Sequence, residues 1–273
     1  ATARATLWHT RKDKRHETQD LFLVSRRLSS TERNTTINAK TILALAFAGL
    51  FAAAASASPV GVTVNGTALD SAGSDGEGWT YISATLTLTN AGPFTLSGTN
   101  TAGGVRVVIA DGVTSAVTLS NLTLKASGDG QCAFALGTGA NVSLFLAGTN
   151  ALTSGYGSPG LAVTAGRTLS ITNAAGDDTG ALTATGGGDA AGIGGSGTCG
   201  TVTISGGTVT ATGKLLGAGI GGGGGYWGYG GGGGTVTISG GTVTAKGGDQ
   251  AGAGIGGGGA YWGYGYGGDG GTV

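Results

Sequence analysis

An eleven-residue phrase occurs twice in this chain without change, and it constrains the fold more than any other feature. Residues 201–211 and 235–245 both read Thr-Val-Thr-Ile-Ser-Gly-Gly-Thr-Val-Thr-Ala. A second phrase, Ala-Gly-Ile-Gly-Gly, begins at Ala191, Ala218 and Ala253. Self-similarity at a spacing of roughly 20 to 50 residues is typical of solenoids and other repeat arrays. The sequence therefore predicts stacked copies of one small unit.

Within the phrase, apolar residues occupy every second position. Val202 and Ile204 alternate with threonines, the pair Gly206-Gly207 interrupts the pattern, and Val209 lies between two further threonines. This alternation predicts two short strands joined at a corner, with Val and Ile facing inward and Thr facing solvent. A helix is disfavoured because β-branched residues and glycine pairs are poor helix formers.

Weaker copies of both strands precede the identical ones. The first strand recurs at 117–119, 142–144 and 169–171, the second at 122–124, 152–154 and 182–184, and a third side is supplied by 133–135, 161–163 and the Ala-Gly-Ile-Gly phrases. The outward threonines then form two ladders: Thr118, Thr203 and Thr237 in one, and Thr123, Thr153, Thr183, Thr210 and Thr244 in the other. We predict an all-β, right-handed, single-stranded parallel β-helix of triangular cross-section, rising about 4.8 Å per rung.

The repeats also suggest how the chain is divided. Residues 105–273 are assigned to the β-helix, which stops two residues into a third copy of the phrase and is therefore expected to be truncated at its C-terminus. Residues 58–104 contain alternating runs and a polar loop, and they are assigned to N-terminal capping strands. A cap is needed because the end rung of a solenoid otherwise exposes its apolar interior.

An apolar run precedes the repeats. It extends over residues 41–55, and residues 55–57 read Ala-Ser-Ala, the small residues of a cleavage site. We therefore predict a signal peptide at 37–57, cleaved after Ala57, and a mature protein that is secreted or at the cell surface. A transmembrane span is the alternative, but the run is short for one. Residues 1–36, which are basic and unpatterned, are expected to be a non-structural segment or sequence upstream of the true start.

Charge and histidine content exclude several classes of function. From residue 58 onward the chain has five Lys and Arg against ten Asp and Glu, whereas binding to nucleic acid needs a basic face. Both histidines, His9 and His16, precede the signal peptide, so the mature region lacks Ser-His-Asp and Cys-His nucleophile systems and histidine zinc sites. We expect neither a nucleic-acid partner nor membrane insertion of the mature chain.

Two cysteines and three asparagines have assigned places in the predicted rungs. Cys132 and Cys199 fall two windings apart, about 10 Å along the axis, whereas a disulfide spans at most roughly 7 Å between Cα atoms. Both are expected to be buried or half-buried thiols. Asn121, Asn150 and Asn173 follow strand segments and are assigned to corners, where asparagine tolerates left-handed backbone.

Two aromatic inserts interrupt consecutive rungs at the same place. Residues 221–230 and 256–266 are glycine runs that carry Tyr-Trp-Gly-Tyr, and they are expected to project as neighbouring loops whose glycines leave the rings free to move. Exposed Trp and Tyr offer planes on which the C–H faces of a sugar ring pack. The alternative, given equal weight, is that the rings of the two loops stack on each other and shield the glycine-rich rungs. The candidate carbohydrate-binding residues are Tyr226, Trp227, Tyr229, Tyr261, Trp262 and Tyr264.

Acidic residues gather in sequence near residue 180. Asp177, Asp178 and Asp189 are a candidate calcium site, because calcium prefers carboxylate and carbonyl oxygens. A solvated acidic corner is the preferred interpretation, so calcium is a candidate cofactor and none is assigned. Polysaccharide lyases of this fold use calcium with a basic residue. Here the basic residues are isolated from one another, namely Lys125, Arg167, Lys214 and Lys246, and we expect no catalysis.

The repeat phrases resemble those of a family of bacterial secreted carbohydrate-binding parallel β-helix proteins. The resemblance is carried by the Ala-Gly-Ile-Gly-Gly and Gly-Thr-Val-Thr-Ile-Ser-Gly-Gly-Thr-Val-Thr-Ala phrases and by residues 146–155 and 182–187, and it covers roughly residues 90–273. It implies a right-handed parallel β-helix, secretion, polysaccharide binding and bound calcium. It carries over no individual ligand residue.

Together these features predict a secreted or surface-exposed β-helix that binds a polysaccharide or cell-surface glycan and catalyses nothing. The main alternative is a structural or adhesive stalk of a larger surface protein, in which the solenoid is a spacer. Ice binding through the outward threonine ladders and polysaccharide lyase activity are further alternatives. The sequence does not identify the polymer or the oligomeric state.

Overall fold

The computed structural model describes residues 59–102, 104–225, 228–261 and 266–273. In these residues the chain forms 21 strands and no helix. Accordingly, this part of the chain contains no helix that is long and apolar enough to cross a membrane. The predicted signal peptide and the segment 1–36 lie outside the described residues, so both remain predictions.

The first strands of the described chain are antiparallel. The strand β1 (Pro59–Val64) pairs with β2 (Thr67–Asp70), and β3 (Ser74–Gly76), β4 (Trp79–Ile82) and β5 (Thr85–Leu88) pair in succession. From β5 onward the chain winds in parallel turns, and the first turn consists of β5 and β6 (Phe94–Asn100). Because β1 pairs with β6 and β4 pairs with β5, antiparallel strands cover the backbone edge of this first turn.

The remaining strands form the three faces of a parallel solenoid, numbered here in chain order. Face one contains the first halves of β6 and β8 (Thr114–Lys125), then β10 (Asn141–Ala147), β13 (Thr168–Asn173), β16 (Thr201–Ile204) and β19 (Thr235–Ile238). Face two contains their second halves, then β11 (Thr149–Tyr156), β14 (Ala181–Gly187), β17 (Thr208–Thr212) and β20 (Thr242–Lys246). Face three contains β5, β7 (Arg106–Ile109), β9 (Phe134–Leu136), β12 (Leu161–Ala162), β15 (Ile193–Gly194), β18 (Ile220–Gly221) and β21 (Ile255–Gly256). The predicted parallel β-helix with three sides is confirmed.

The interior is filled by the alternating apolar residues. Val202, Ile204 and Val209 have no exposed surface, as the period of two predicts. The early turns bury larger side chains, such as Phe94 and Phe134, whereas the later turns bury mainly Val, Ile and Ala. At the other end of the described chain the interior is more open, since Ile238 is 39% exposed and β20 has no fully buried residue.

The predicted alignment of β8 with β10 is wrong by two residues. Leu144 lies opposite Val117, and Thr118 therefore lies opposite Phe145. Thr237 shares a row with Thr203, as predicted, but in the preceding turns that row contains Ser170, Ser143 and Ala116, so Thr118 does not belong to the ladder predicted for it. A slip of two residues leaves every side chain on its original face, and for that reason hydrophobic alternation does not detect it.

The predicted alignment of β11 is also wrong by two residues. Leu182 lies opposite Asn150, not opposite Leu152. Thr153 therefore shares a row with Thr185, and the place opposite Thr183 that was predicted for Thr153 is taken by Ala151. The cause is chemical: Asn150 is fully buried at an inward position that the sequence interpretation had reserved for an apolar residue.

Asparagine side chains organise the corner between faces one and two. Asn121 has the predicted left-handed conformation, with φ of 53°, and its Oδ1 accepts a hydrogen bond from the N–H of Thr149 in the next turn. Asn150 does not have a positive φ. It instead uses its side chain, accepting from the N–H of Leu122 at 2.8 Å in the turn before and donating to the carbonyl of Ala181 at 3.1 Å in the turn after. Asn173 also lacks a positive φ, and its buried Oδ1 has no hydrogen-bond partner.

Candidate functional site

The two aromatic inserts leave the solenoid at equivalent places, the first between β18 and β19 and the second after β21. The first closes on itself through a hydrogen bond from the N–H of Gly231 to the carbonyl of Gly223, at 2.7 Å. The second closes in the same way from Gly268 to Gly258, at 2.8 Å. Both loops are therefore held at their bases by backbone hydrogen bonds.

The inserts also stack on each other. Gly225 forms a parallel bridge with Ala260, donating to the carbonyl of Gly259 at 2.9 Å and accepting from the N–H of Tyr261 at 3.2 Å. Gly258 in turn donates to the carbonyl of Gly231 at 2.9 Å. The repeated spacing of the solenoid thus continues out into the loops.

Close backbone approach explains the glycines at the base of the inserts. A Cβ atom on Gly258 would collide with the carbonyl group of Gly223, and one on Gly268 would collide with that of Gly231. At the bases of the inserts these glycines therefore permit close backbone packing, and the expectation that they leave the rings free to move stays a prediction. Because these glycines have no side chains, the described parts of the two loops pack closely enough to share backbone hydrogen bonds.

One aromatic pair joins the two inserts. The rings of Tyr229 and Tyr266 are stacked, with centroids 5.7 Å apart and planes 10° from parallel. Both remain largely exposed, at 73% and 70%. The pair is held in place by the neighbouring backbone, since Gly230 donates to the carbonyl of Tyr266 at 2.9 Å. Parallel offset rings each contact one neighbour and leave an outer face to solvent.

The predicted carbohydrate-binding residues are only partly covered by the described structure. Tyr229 and Tyr261 are exposed on the inserts, as expected for ligand contact. Tyr226, Trp227, Trp262 and Tyr264 lie outside the described residues, and their assignment remains a prediction. Sequence reasoning missed Tyr266, because repeat equivalence pairs Tyr229 with Tyr264; the third tyrosine of the second insert was the available signal.

A second exposed aromatic lies at the corner between faces two and three. Tyr156, at the end of β11, is 56% exposed, and its ring lies against Gly188 of the following turn. Its hydroxyl donates to Oδ2 of Asp189 at 3.4 Å. Asp189 also contacts the first insert, since its backbone carbonyl accepts from Gly224 at 2.5 Å. The sequence interpretation did not select Tyr156, because an isolated tyrosine between a strand and a glycine carries no repeat signal.

The three candidate calcium ligands do not come together. Asp177 and Asp178 lie between β13 and β14, whereas Asp189 lies beyond the far end of β14, a seven-residue strand about 20 Å long. The described residues contain no group of three or more His, Cys, Asp or Glu that could hold a metal ion. These carboxylates therefore do not fit a shared calcium site.

Asp177 has a structural role in its corner. Its Oδ1 accepts from the hydroxyl and the N–H of Thr179, and its Oδ2 accepts from the N–H of Gly148 in the preceding turn. These hydrogen bonds, of which the one from the Thr179 hydroxyl has the largest effect, lower the pKa of the Asp177 carboxyl. Both carboxylate oxygens are thus occupied by protein donors, while the neighbouring Asp178 is exposed.

Neither cysteine is suited to nucleophilic chemistry. Both are free thiols, Cys199 buried and Cys132 half-buried, as predicted. The Cys132 thiol donates to the carbonyls of Phe134 and Pro159 at 3.0 and 2.9 Å. Burial raises the pKa of Cys132 to about 11 and that of Cys199 to about 12, so both remain protonated at neutral pH.

Two of the four basic residues considered for lyase chemistry, Arg167 and Lys246, have contacts within the protein. The Nε of Arg167 donates to the carbonyls of Leu136 and Gly137 at 2.7 and 3.0 Å, which ties it to the preceding turn. Lys246 forms an exposed ion pair with Asp249, three residues along the chain, at 3.4 Å. The Arg167 side chain therefore joins two turns of the solenoid, and the Lys246 side chain pairs with a nearby carboxylate.

The repeat geometry agrees with a comparison against protein families. Residues 202–225 and 236–259 each match a family model described as a beta helix repeat. Each matched repeat runs from face one through faces two and three and ends in the first glycines of an aromatic insert. Comparison of the chain with curated proteins and with solved structures gives no match.

Proposed function

We propose that this chain is a secreted or surface-exposed β-helix protein that binds polysaccharide without catalysis, and that the aromatic inserts are its binding surface. The observation that carries the proposal is the Tyr229–Tyr266 pair: two nearly parallel rings, each at least 70% exposed, on neighbouring loops. Large exposed aromatic surface is uncommon on a soluble protein and marks sites of interaction.

The chemistry of the pair suits a sugar. A pyranose ring presents C–H groups on its faces and hydroxyls at its rim, while tyrosine presents an apolar face and a polar edge. A sugar ring on the outer face of either tyrosine can therefore bury C–H groups while its hydroxyls stay hydrated. A polymer offers such rings at regular intervals, and the stacked inserts repeat along the axis in the same manner.

The fixed backbone of the inserts favours binding. Ordering a mobile loop costs roughly 1 to 2 kcal/mol per residue, which a ligand contact must overcome. Here hydrogen bonds between Gly225, Gly259 and Tyr261 hold the stacked loops before any ligand arrives. A preorganised surface loses less entropy on binding.

The absence of catalysis is proposed on the chemistry of the described groups. Cys132 and Cys199 are protonated, Arg167 is bound to backbone carbonyls, and both carboxylate oxygens of Asp177 accept hydrogen bonds from protein donors. Export is proposed from the apolar run at 41–55 and its small-residue end.

Affinity electrophoresis of the full chain in gels containing soluble polysaccharides tests the proposal, together with co-sedimentation with insoluble ones. Changing Tyr229→Ala and Tyr266→Ala together should weaken retention at least tenfold, a loss of about 1.4 kcal/mol. The matched control, Tyr229→Phe with Tyr266→Phe, keeps both ring faces and should retain most of the binding.

Two results would contradict the proposal. Undiminished retention by a folded double-alanine variant would remove the pair from the binding surface. If the wild-type chain binds none of a broad panel of polysaccharides, and loss of the rings lowers only thermal stability, then the stacked pair is a packing device. That outcome would favour the structural or adhesive stalk.

A further inference from the structure

Tyr156 and Asp189 belong to consecutive turns and meet at the corner between faces two and three. The tyrosine ring lies against Gly188, a position where a Cβ would approach two ring carbons to 2.8 Å. The ring carbons Cδ2 and Cε2 therefore lie close to the backbone of Gly188, while the side chain as a whole stays 56% exposed. This arrangement is a flat aromatic platform with a carboxylate at its polar edge.

The carboxylate has unused hydrogen-bonding capacity. An ionised carboxylate has about four acceptor positions on its two oxygens. Oδ1 of Asp189 is buried and has no hydrogen-bond partner, and Oδ2 accepts from the Tyr156 hydroxyl at 3.4 Å, which is long for an O–H···O bond. A partly buried carboxylate that accepts so few hydrogen bonds is unfavourable, so a hydrogen-bond donor brought by a ligand should bind at Oδ2 of Asp189.

The neighbouring backbone holds the carboxylate in place. The carbonyl of Asp189 accepts from the N–H of Gly224, at the base of the first aromatic insert. Gly187 accepts from the N–H of Gly157 at 2.9 Å, which fixes the turn of Tyr156 against the turn of Asp189. The platform and the insert that carries Tyr229 are thus parts of one hydrogen-bonded edge of the solenoid.

We propose that Tyr156 and Asp189 form a second sugar-binding subsite, which selects uncharged polysaccharides over anionic ones. A sugar ring packs on Tyr156 while one of its hydroxyls donates to Oδ2 of Asp189, a hydrogen bond strengthened by the charge of the carboxylate. A uronate or sulfate group at the same place would face the carboxylate, on a chain that has five Lys and Arg against ten Asp and Glu from residue 58 onward, and like-charge contact is costly. This inference rests on the proposed polysaccharide-binding function and names its ligand class.

The test compares retention of the full chain on a neutral β-glucan and on polygalacturonate. Tyr156→Ala and Asp189→Asn should each weaken retention on the neutral glucan at least about fivefold, since the first removes the ring and the second removes the charge that strengthens the hydrogen bond. Asp189→Asn should also bring retention on the two polymers closer together, because it removes the repulsion of the uronate. Asp178→Asn is the matched control: it removes the same charge from an exposed residue in another corner, and it should leave the preference unchanged.

The outcomes separate this inference from the proposed function. If Asp189→Asn and Asp178→Asn behave alike, or if the wild-type chain retains polygalacturonate as tightly as the neutral glucan, the subsite is refuted while the Tyr229–Tyr266 surface stands. If the wild-type chain retains neither these polymers nor any other, the proposed function fails and the subsite fails with it. If Asp189→Asn lowers thermal stability, the test is instead the retention of Tyr156→Phe compared with that of Tyr156→Ala. The phenylalanine variant keeps the ring and should retain the neutral glucan more strongly than the alanine variant. Equal retention by the two variants refutes the platform.

Discussion

Replacing Asn150 by alanine should destabilise the solenoid more than any other single change at the corner between faces one and two. The side chain is fully buried and joins three consecutive turns. It accepts from Leu122 N–H at 2.8 Å, donates to the Ala181 carbonyl at 3.1 Å, and donates within its own turn to the carbonyl of Ala147 at 3.2 Å.

The magnitude follows from the groups that are left without partners. A buried donor or acceptor that loses its partner costs about 1 to 3 kcal/mol. Leu122 N–H belongs to a fully buried residue and should incur the upper part of that range, whereas the carbonyl of half-buried Ala181 should incur the lower part. The sum is a loss of about 3 to 4 kcal/mol in the free energy of unfolding.

Urea unfolding followed by far-UV circular dichroism measures this loss. Asn173→Ala is the matched control, because Asn173 lies in the same column of corners and its buried Oδ1 has no partner to lose. Asn173→Ala should lower the free energy of unfolding by about 1 kcal/mol or less. If the two alanine variants unfold at the same urea concentration, the reasoning that Asn150 holds the turns together through hydrogen bonds is refuted.

Three further predictions concern the chain outside this corner. Removal of residues 1–57 should leave the β-type circular dichroism of the remainder unchanged, and its disappearance would show that the segment is structural. Changing Trp227→Ala and Trp262→Ala together should weaken polysaccharide retention at least tenfold with little change in thermal stability, and the opposite pattern would mark the rings as packing devices. Because burial raises the pKa values of Cys132 and Cys199 to about 11 and 12, their stabilising contribution is complete below about pH 9 and is lost as pH rises through those values. Both thiols should therefore resist alkylation near pH 8 until urea unfolds the chain, and rapid reaction of the folded chain would contradict their burial.

The sequence was sufficient to predict the solenoid because its information is local and repeated. Each copy of the Thr-Val-Thr-Ile phrase specifies inward and outward positions by alternation, and three sides per turn follow from three apolar segments per repeat. The alignment between turns was not predictable where the repeats are weak. In β11 the inward position is held by Asn150, and its suitability depends on Leu122 and Ala181, which lie 28 and 31 residues away.

The candidate site was predictable in position but not in detail. Matching inserts in consecutive repeats indicated neighbouring loops, and the structure stacks them. The tyrosines that meet are Tyr229 and Tyr266, which do not occupy equivalent repeat positions, because their approach is set by the hydrogen bond from Gly230 to Tyr266. The Tyr156–Asp189 contact spans two turns and has no sequence pattern of its own. Asp189 is close in sequence to Asp177 and Asp178, but the strand β14 separates it from them in space.

The direction of the hydrogen bonds gives this protein a particular mechanical response. In a parallel solenoid the bonds between strands of adjacent turns lie along the axis, so tension applied along the axis loads them a few at a time. Turns should then peel away one after another rather than shear together. A chain of this kind attached to a surface would lengthen in steps of one turn under load.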